Sequence, residues 1–387
     1  MKASHKIVPV FDDPNLVGSA GLVPAMLLAQ SAGLGDLTQH HLGVGSANAA
    51  AKTAAIVAGM MTGADSIDDL GVLRHGGMSR LFAGARAPST LGTFLRTFTH
   101  GHVQQLDAVG GRLLAGLTAR VPGLLAGGTE PEGLAFIDVD DTIRQVHGYA
   151  KQGAGFGYTG VRGLNIQLAT VSTPIAAPVI ARARLRRGST ASPTGAGRML
   201  AQAITTARAA GVRSRILARA DSAYYGHAFV GTALRHGAWF SVTARMDPQV
   251  TAAITSIPDT AWTPISYPNA VFDDAEQRWI SDAEVAEVRF TAFTSRRKAD
   301  HVTCRLVVRR VKRAQPLAGT APSKVNCSRR IATTGSSPTP PCAWSRPTNA
   351  TATTRSSSRS SPNSKTGRWR ICRRGSTRPT PPGSPTR

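Results

Sequence analysis

Two acidic clusters stand at the ends of short apolar runs. The string LAFIDVDDT (134–142) carries Asp138, Asp140 and Asp141, and the string ILARADSAYYG (216–226) carries Asp221. The residues between them, 142–220, include 12 Lys and Arg and no Asp or Glu. Carboxylate oxygens are hard donors that suit Mg²⁺ or Mn²⁺. Two such ions can activate a water or a 3′-hydroxyl and stabilise the leaving oxygen of an in-line displacement. A basic framework around isolated carboxylates suits a phosphodiester backbone. The pattern points to metal-dependent chemistry on DNA. Aspartate at a strand end also serves as a turn residue or a helix cap, so spacing alone leaves both readings open.

The acids need elements to position them. Runs at 134–139 and 142–147, then 164–172 and 178–185, read as strands, with a glycine-rich hairpin turn, QGAGFG (152–157), among them. No Lys-Ser or Lys-Thr follows that turn, so it is not a phosphate loop. An amphipathic helix at 192–210 is followed by a strand at 215–220, a helix at 226–235 and a strand at 239–245. Asp140 and Asp221 then end strands that can lie side by side. Alternation places Asp138 on the same face as Asp140, so either can be the first ligand, while Asp141 points away. The order of elements predicts a mixed α/β sheet with a layer of helices on each side.

The flanking regions differ in grammar. Residues 1–125 are rich in Ala, Gly and Leu, with helices expected at 17–31, 48–61 and 88–98. Arg74, Arg80, Arg86 and Arg96 sit among apolar residues there, as in a small DNA-binding domain, although a helical packing domain fits equally. Residues 258–313 return to strand patterns, at 285–293 and 301–311, and end in a basic run. The tail, 314–387, reads as basic, low-complexity and disordered. Its last part, 321–387, has 13 Lys and Arg and no acid, and 45 of its 67 residues are Ser, Thr, Pro or Arg.

The whole chain of 387 residues has a formal net charge of +24. That charge favours a polyanionic partner, nucleic acid before an anionic membrane surface. No apolar run is long enough to span a bilayer and the N-terminus lacks a signal-peptide core, so a cytoplasmic, nucleoid-associated protein is expected. Cys304, Cys327, Cys342 and Cys372 match no zinc or redox spacing.

Three strings together, FIDVDDTIRQVHGYAKQGAGFGYTG (136–160), LRRGST (185–190) and ILARADSAYYG with the following WFSVTARM (239–246), resemble the insertion-sequence 1380 family of DDE transposases. The resemblance covers roughly residues 5–315. It implies a ribonuclease H-like core, with flanking helices, at about 130–257, a β-rich insertion at 258–313 before the last catalytic acid, and a helical DNA-binding region at 1–125. It implies Asp140 as first catalytic acid, Asp138 being able to replace it, and Asp221 as second. It further implies Mg²⁺ (or Mn²⁺) as cofactor, Arg187 and Arg219 as phosphate contacts, and double-stranded DNA as partner, both transposon terminal inverted repeats and target. A homodimer would hold the synaptic complex. Tyr224 and Tyr225 suit either core packing or stacking on a base, and His147 and His227 near the acids read as structural.

The chain departs from the family at its third acid, a Glu on a helix after the β insertion. No Glu follows Glu287 and no acid follows Asp300. A reading-frame change accounts for this, because out-of-register GC-rich codons yield Arg, Pro, Ser and Thr. A frame one nucleotide upstream permits TEQGELF over 322–328 and AIVEQVIAELKDGPL over 354–369, the latter an amphipathic helix. The lost Glu would fall across the codons of Ser357 and Ser358. The expected protein is a transposase that binds transposon ends and lacks its last acid. The rival expectation is a catalytically dead DNA-binding protein that occupies those ends.

Overall fold

The computed structural model describes residues 13–148, 151–265, 272–273, 278–279, 283–311 and 326–333. The N-terminal region holds α1 (Leu22–Ser31), α2 (Leu34–His41), α3 (Ala49–Met61), α4 (Met78–Leu81), α5 (Pro88–Arg96) and α6 (His100–Arg120). The helices expected from sequence appear as α1, α3 and α5; α2 and the long α6 do not follow from the pattern. Gly101, Gly110, Gly111 and Gly116 lower the intrinsic helicity of α6, yet two of them allow close packing. A Cβ on Gly116 would lie 2.3 Å from the Ala32 carbonyl oxygen, and one on Gly111 would lie 3.2 Å from Thr206 Oγ1. The helix start is fixed by a capping box in which the Thr99 N–H donates to His102 Nδ1 at 3.1 Å.

The core begins with β1 (Leu134–Gln145), β2 (Gly155–Phe156), β3 (Arg162–Ser172) and β4 (Val179–Arg187). It continues through α7 (Ala196–Ala209), β5 (Arg215–Ala220), α8 (His227–Arg235), β6 (Trp239–Thr243) and α9 (Pro248–Thr255). The two runs expected at 134–139 and 142–147 are one strand, because β3 pairs with β1 continuously from Phe136 to Gln145. Strand β3 runs antiparallel to both β1 and β4, and β5 and β6 run parallel to β1 in the order β4-β3-β1-β5-β6. This is the ribonuclease H-like arrangement, a mixed sheet with flanking helices.

One face of that sheet carries the core. Ile137, Val139, Ala169, Val171, Ile216, Ala218, Phe240 and Val242 are buried in one cluster with Met199, Leu200 and Ala203 of α7 and Phe229 and Val230 of α8. The contact of α7 with α8 is close, since a Cβ on Gly197 would meet the Ala228 carbonyl oxygen at 2.5 Å. The opposite face shows Phe136, Leu164, Ile166, Leu168, Leu217 and Trp239, none of which belongs to a core cluster. Helices were expected on both faces. Among the described residues, α7, α8 and α9 pack on the first face alone, with α9 adding Val250 to the same cluster.

The sheet extends beyond the five strands. β7 (Thr263–Ile265), β10 (Ala283–Ala292), β11 (Val302–Val311) and β12 (Asn326–Thr333) continue it in the order β6-β12-β11-β10-β7, while β8 (Phe272–Asp273) and β9 (Arg278–Trp279) form a separate ladder. The β-rich stretch after residue 258 is thus continuous with the core sheet. One segment differs from expectation: 326–333 lies in the span read as a structureless tail, and it forms β12. Its backbone pairs antiparallel with β6 and β11 and fills a slot that would otherwise leave two unpaired strand edges. The remaining tail, 334–387, lies outside the described residues, as does the helix proposed for the shifted frame.

Candidate metal and DNA site

β1 outruns its parallel partner. The β1–β5 ladder ends at the pair Val139–Ala220, so the next residue on each strand is Asp140 and Asp221. The two acids therefore stand beside each other at the carboxyl ends of parallel strands, where α/β sheets open a crevice. β3 still supports Asp140 from the other side, where Leu168 is its partner. Each carboxylate is oriented by one backbone N–H. Asp140 Oδ1 accepts from the Asp141 N–H at 2.8 Å, and Asp221 Oδ1 accepts from the Ala223 N–H at 2.9 Å.

The neighbouring acids add to the proton affinity of Asp140. The Asp140 carboxyl is pushed up to about 6, by partial burial first. The hydrogen bond from the Asp141 N–H opposes that shift, and the negative charges of Asp221, Asp141 and Asp138 add to it. Uncompensated negative charge of this kind is relieved by a cation. Asp140 and Asp221 supply oxygen donors, as Mg²⁺ or Mn²⁺ requires, and so fit two ligands of such an ion. Among the described residues no group of three or more His, Cys, Asp or Glu converges to complete a metal site.

Asp138 is engaged elsewhere. Both of its oxygens accept from Arg219, Nε to Oδ1 and Nη2 to Oδ2, each at 2.6 Å. The same guanidinium lies over the Phe136 ring, 4.1 Å from the centroid. Asp138 can serve as a metal ligand only if this bidentate pair opens, and Arg219 can reach a phosphate only on the same condition. Arg187 is exposed at the end of β4 and pairs with Leu164, which also pairs with Arg144. It lies four β1 positions beyond Asp140, roughly 13 Å at strand rise.

Asp141 does point to the opposite face, as alternation requires, and there it organises a buried network. Its oxygens accept from the Tyr224 hydroxyl at 2.8 Å, from Arg186 Nη2 at 3.2 Å and from Asn165 Nδ2. Arg186 in turn donates to Asn165 Oδ1 and, at 2.7 Å, to the Thr194 carbonyl, which ties β4 to the loop before α7. Tyr224 is 1% exposed and its hydroxyl is held by Asp141, so it is not available to stack on a base. Tyr225 packs on Phe293 with ring centroids 5.5 Å apart. Arg245, just past β6, donates to the carbonyls of Ser222 at 3.0 Å and Ala223 at 3.1 Å, clamping the turn after Asp221.

The positions of the remaining residues are plain. His227 sits 3.6 Å from Asp300 and edge-on to Phe293, and His147 is exposed. Cys304 is buried and its thiol is pushed up to about 12 by burial, an inert core side chain. Sequence reading did not find Asn165, Arg186 or Arg245. The buried polar positions on β3 were the available signal: Asn165 and Gln167 interrupt an otherwise apolar alternation.

The fold and paired acids define a ribonuclease H-like α/β protein with a candidate two-carboxylate cation site. No family model matches the chain, and no curated protein does. Among solved structures, the chain is similar to the piggyBac transposase in its synaptic complex with hairpin DNA. Identity is 9% and the TM-score 0.31, over 91% of this chain and 59% of that one. It is also similar to a chain of the Mos1 strand transfer complex at 12% identity and a TM-score of 0.18, over 53% of this chain and 63% of that one. The chain thus spans about three fifths of each.

Proposed function

We propose that this protein is the ribonuclease H-like core of a DNA transposase of insertion-sequence type, with Asp140 and Asp221 as two of its catalytic acids. One observation carries the reading. Two carboxylates from sequence-distant strands stand side by side at the carboxyl ends of β1 and β5, and the 79 residues from 142 to 220 hold 12 basic residues and no acid. Mg²⁺ or Mn²⁺ held there would supply Lewis-acid stabilisation of the phosphodiester oxygens. The chain's own contributions are positional. Asp141 and Ala223 fix the carboxylates through their N–H groups, Tyr224 and Arg245 fix the turn that presents Asp221, and Arg187 is free to meet the DNA backbone. Asp138 is paired with Arg219, which favours Asp140 as the ligand.

The proposed substrate is double-stranded DNA at transposon ends, bound by two copies in a synaptic complex. The third acid belongs to a helix that a frame change near residue 318 has removed. β12 does not conflict with that change, because strand pairing uses backbone groups that most sequences supply, whereas an acid-bearing helix needs particular side chains. The chain as it stands therefore binds transposon ends without cleaving them.

The test has two arms. Mn²⁺ binding followed by electron paramagnetic resonance should be lost in Asp140→Asn and in Asp221→Asn, and retained in Asp138→Asn. Restoring the upstream frame should return strand cleavage, which mutation of the recovered Glu then removes. Cleavage by the unaltered chain would show that another acid completes the site.

A further inference from the structure

A cleft of about 200 Å³ lies between α6, β4 and α7, lined by Gln104, Asp107, Arg182, Arg184, Arg198 and Gln202 among others. Three guanidiniums there face one carboxylate. Asp107 is already committed: it accepts from Arg182 Nε at 3.0 Å and from the Ala183 N–H at 2.9 Å. Arg184 donates to Gln202 Oε1 at 2.5 Å and has no carboxylate of its own among the described residues. Arg198 is exposed in the first turn of α7 and likewise has no described carboxylate partner.

The backbone adds to the imbalance. Gly195, the N-cap of α7, is left-handed at φ 74, makes no side-chain cap, and is followed by no acid in the first turn. A Cβ at Gly195 would stand 3.3 Å from Arg184 Nη1, so the helix start and this guanidinium are adjacent. The positive end of the helix dipole therefore lies beside the same guanidinium. Burial first, then the neighbouring Arg198 charge, lowers the proton affinity of the Arg184 guanidinium; Asp107 offsets part of that shift, and a further anion would relieve more of it.

The cleft is separate from the acids. Arg184 pairs with Gln167, which is fully buried among the core-face positions, whereas Asp140 pairs with Leu168 on the other face.

We infer that this cleft is a phosphate-binding site, with Arg184, Arg198 and the start of α7 as its anion cradle, set on the face of the sheet opposite Asp140 and Asp221. The ligand is a phosphate ester, either one group of a DNA backbone or a free phosphate. The DNA source rests on the transposase reading; the phosphate chemistry does not.

The test uses the full chain in the presence of a chelator. Calorimetric titration with inorganic phosphate should show binding that is weakened about tenfold or more in Arg198→Ala, whose side chain is exposed, and in Arg184→Gln. The salt dependence of affinity for a duplex of arbitrary sequence should lose roughly one unit of log–log slope in each variant. Both losses together identify the DNA backbone as the ligand. Loss of phosphate binding with an unchanged DNA slope identifies a free phosphate ester. Phosphate binding by a parent chain that binds no DNA at all would remove the transposase reading and leave the cleft standing. Phosphate affinity in both variants within about twofold of the parent overturns the inference.

Discussion

Asp140 and Asp141 are consecutive residues with opposite fates. Asp140 faces its neighbouring carboxylates, and its folded-state carboxyl titrates at about 6 against an ordinary 3.8. The folded protein therefore binds this proton more readily than the unfolded chain, and its contribution to stability falls as pH rises from about 4 to about 6. Asp140→Asn should raise the Tm measured in chelator above pH 6, and the gain should vanish near pH 4. A gain that is the same at both pH values would show that relief of charge is not its source. Asp141 is instead paired three ways. Tyr224→Phe removes the hydroxyl donor from a buried carboxylate and should cost about 2 kcal/mol in urea denaturation. It should also weaken Mn²⁺ binding by loosening the turn that carries Asp221. Unchanged urea midpoint and Mn²⁺ affinity would mean that Arg186 and Asn165 hold the network alone.

At the scale of elements, one carboxylate ties α6 to β4, alongside the apolar packing of Leu114 in the sheet's core cluster. Asp107 accepts from both Arg182 and the Ala183 N–H on β4, and its side chain is 9% exposed. Asp107→Ala leaves Arg182 buried without a partner and should cost about 3 kcal/mol. Hydrogen exchange should then show α6 amides opening before those of β1; equal protection in parent and variant would place the joint elsewhere. The same scale shows what was legible in the sequence. β5 is found where the pattern placed it, Arg215–Ala220, because Ile216, Leu217, Ala218 and Ala220 between a turn and an acid are too short a segment for a helix. Alternation along β1 set Asp141 apart from Asp138 and Asp140. The partners of Asp141 were not legible, because they lie 24, 45 and 83 residues away and nothing local marks them. The long α6 was hidden by its glycines, whose value is the close packing they permit rather than any propensity.

For the whole molecule the uneven charge is the governing quantity. The net charge of +24 is far from balanced, and counterion release from bound DNA makes affinity fall steeply with salt. A chain shortened to end at Thr333 keeps β12 and the 12 basic residues between Asp141 and Asp221, so its affinity for duplex DNA should still drop with salt on a steep log–log slope. Weak, salt-insensitive binding by the shortened chain would assign DNA contact to the tail instead. The second sheet face belongs to this scale as well. Phe136, Leu217 and Trp239 line it beside the acids, none of them in a core cluster of the described residues, and under the proposed function it is the surface against which a restored C-terminal helix would pack. Restoring the frame should therefore raise Tm as well as return cleavage.

β12 joins the two halves of the long sheet, and among the described residues it is the last strand to be synthesised. Until Asn326–Thr333 leaves the ribosome, β6 and β11 each present a row of unsatisfied backbone groups. At roughly 5 to 20 residues per second, that interval after β6 lasts on the order of 4 to 17 seconds. During it, nascent chains on neighbouring ribosomes of one message can pair edge to edge. The slot that one chain eventually closes for itself is, for those seconds, an opening through which two chains can exchange strands.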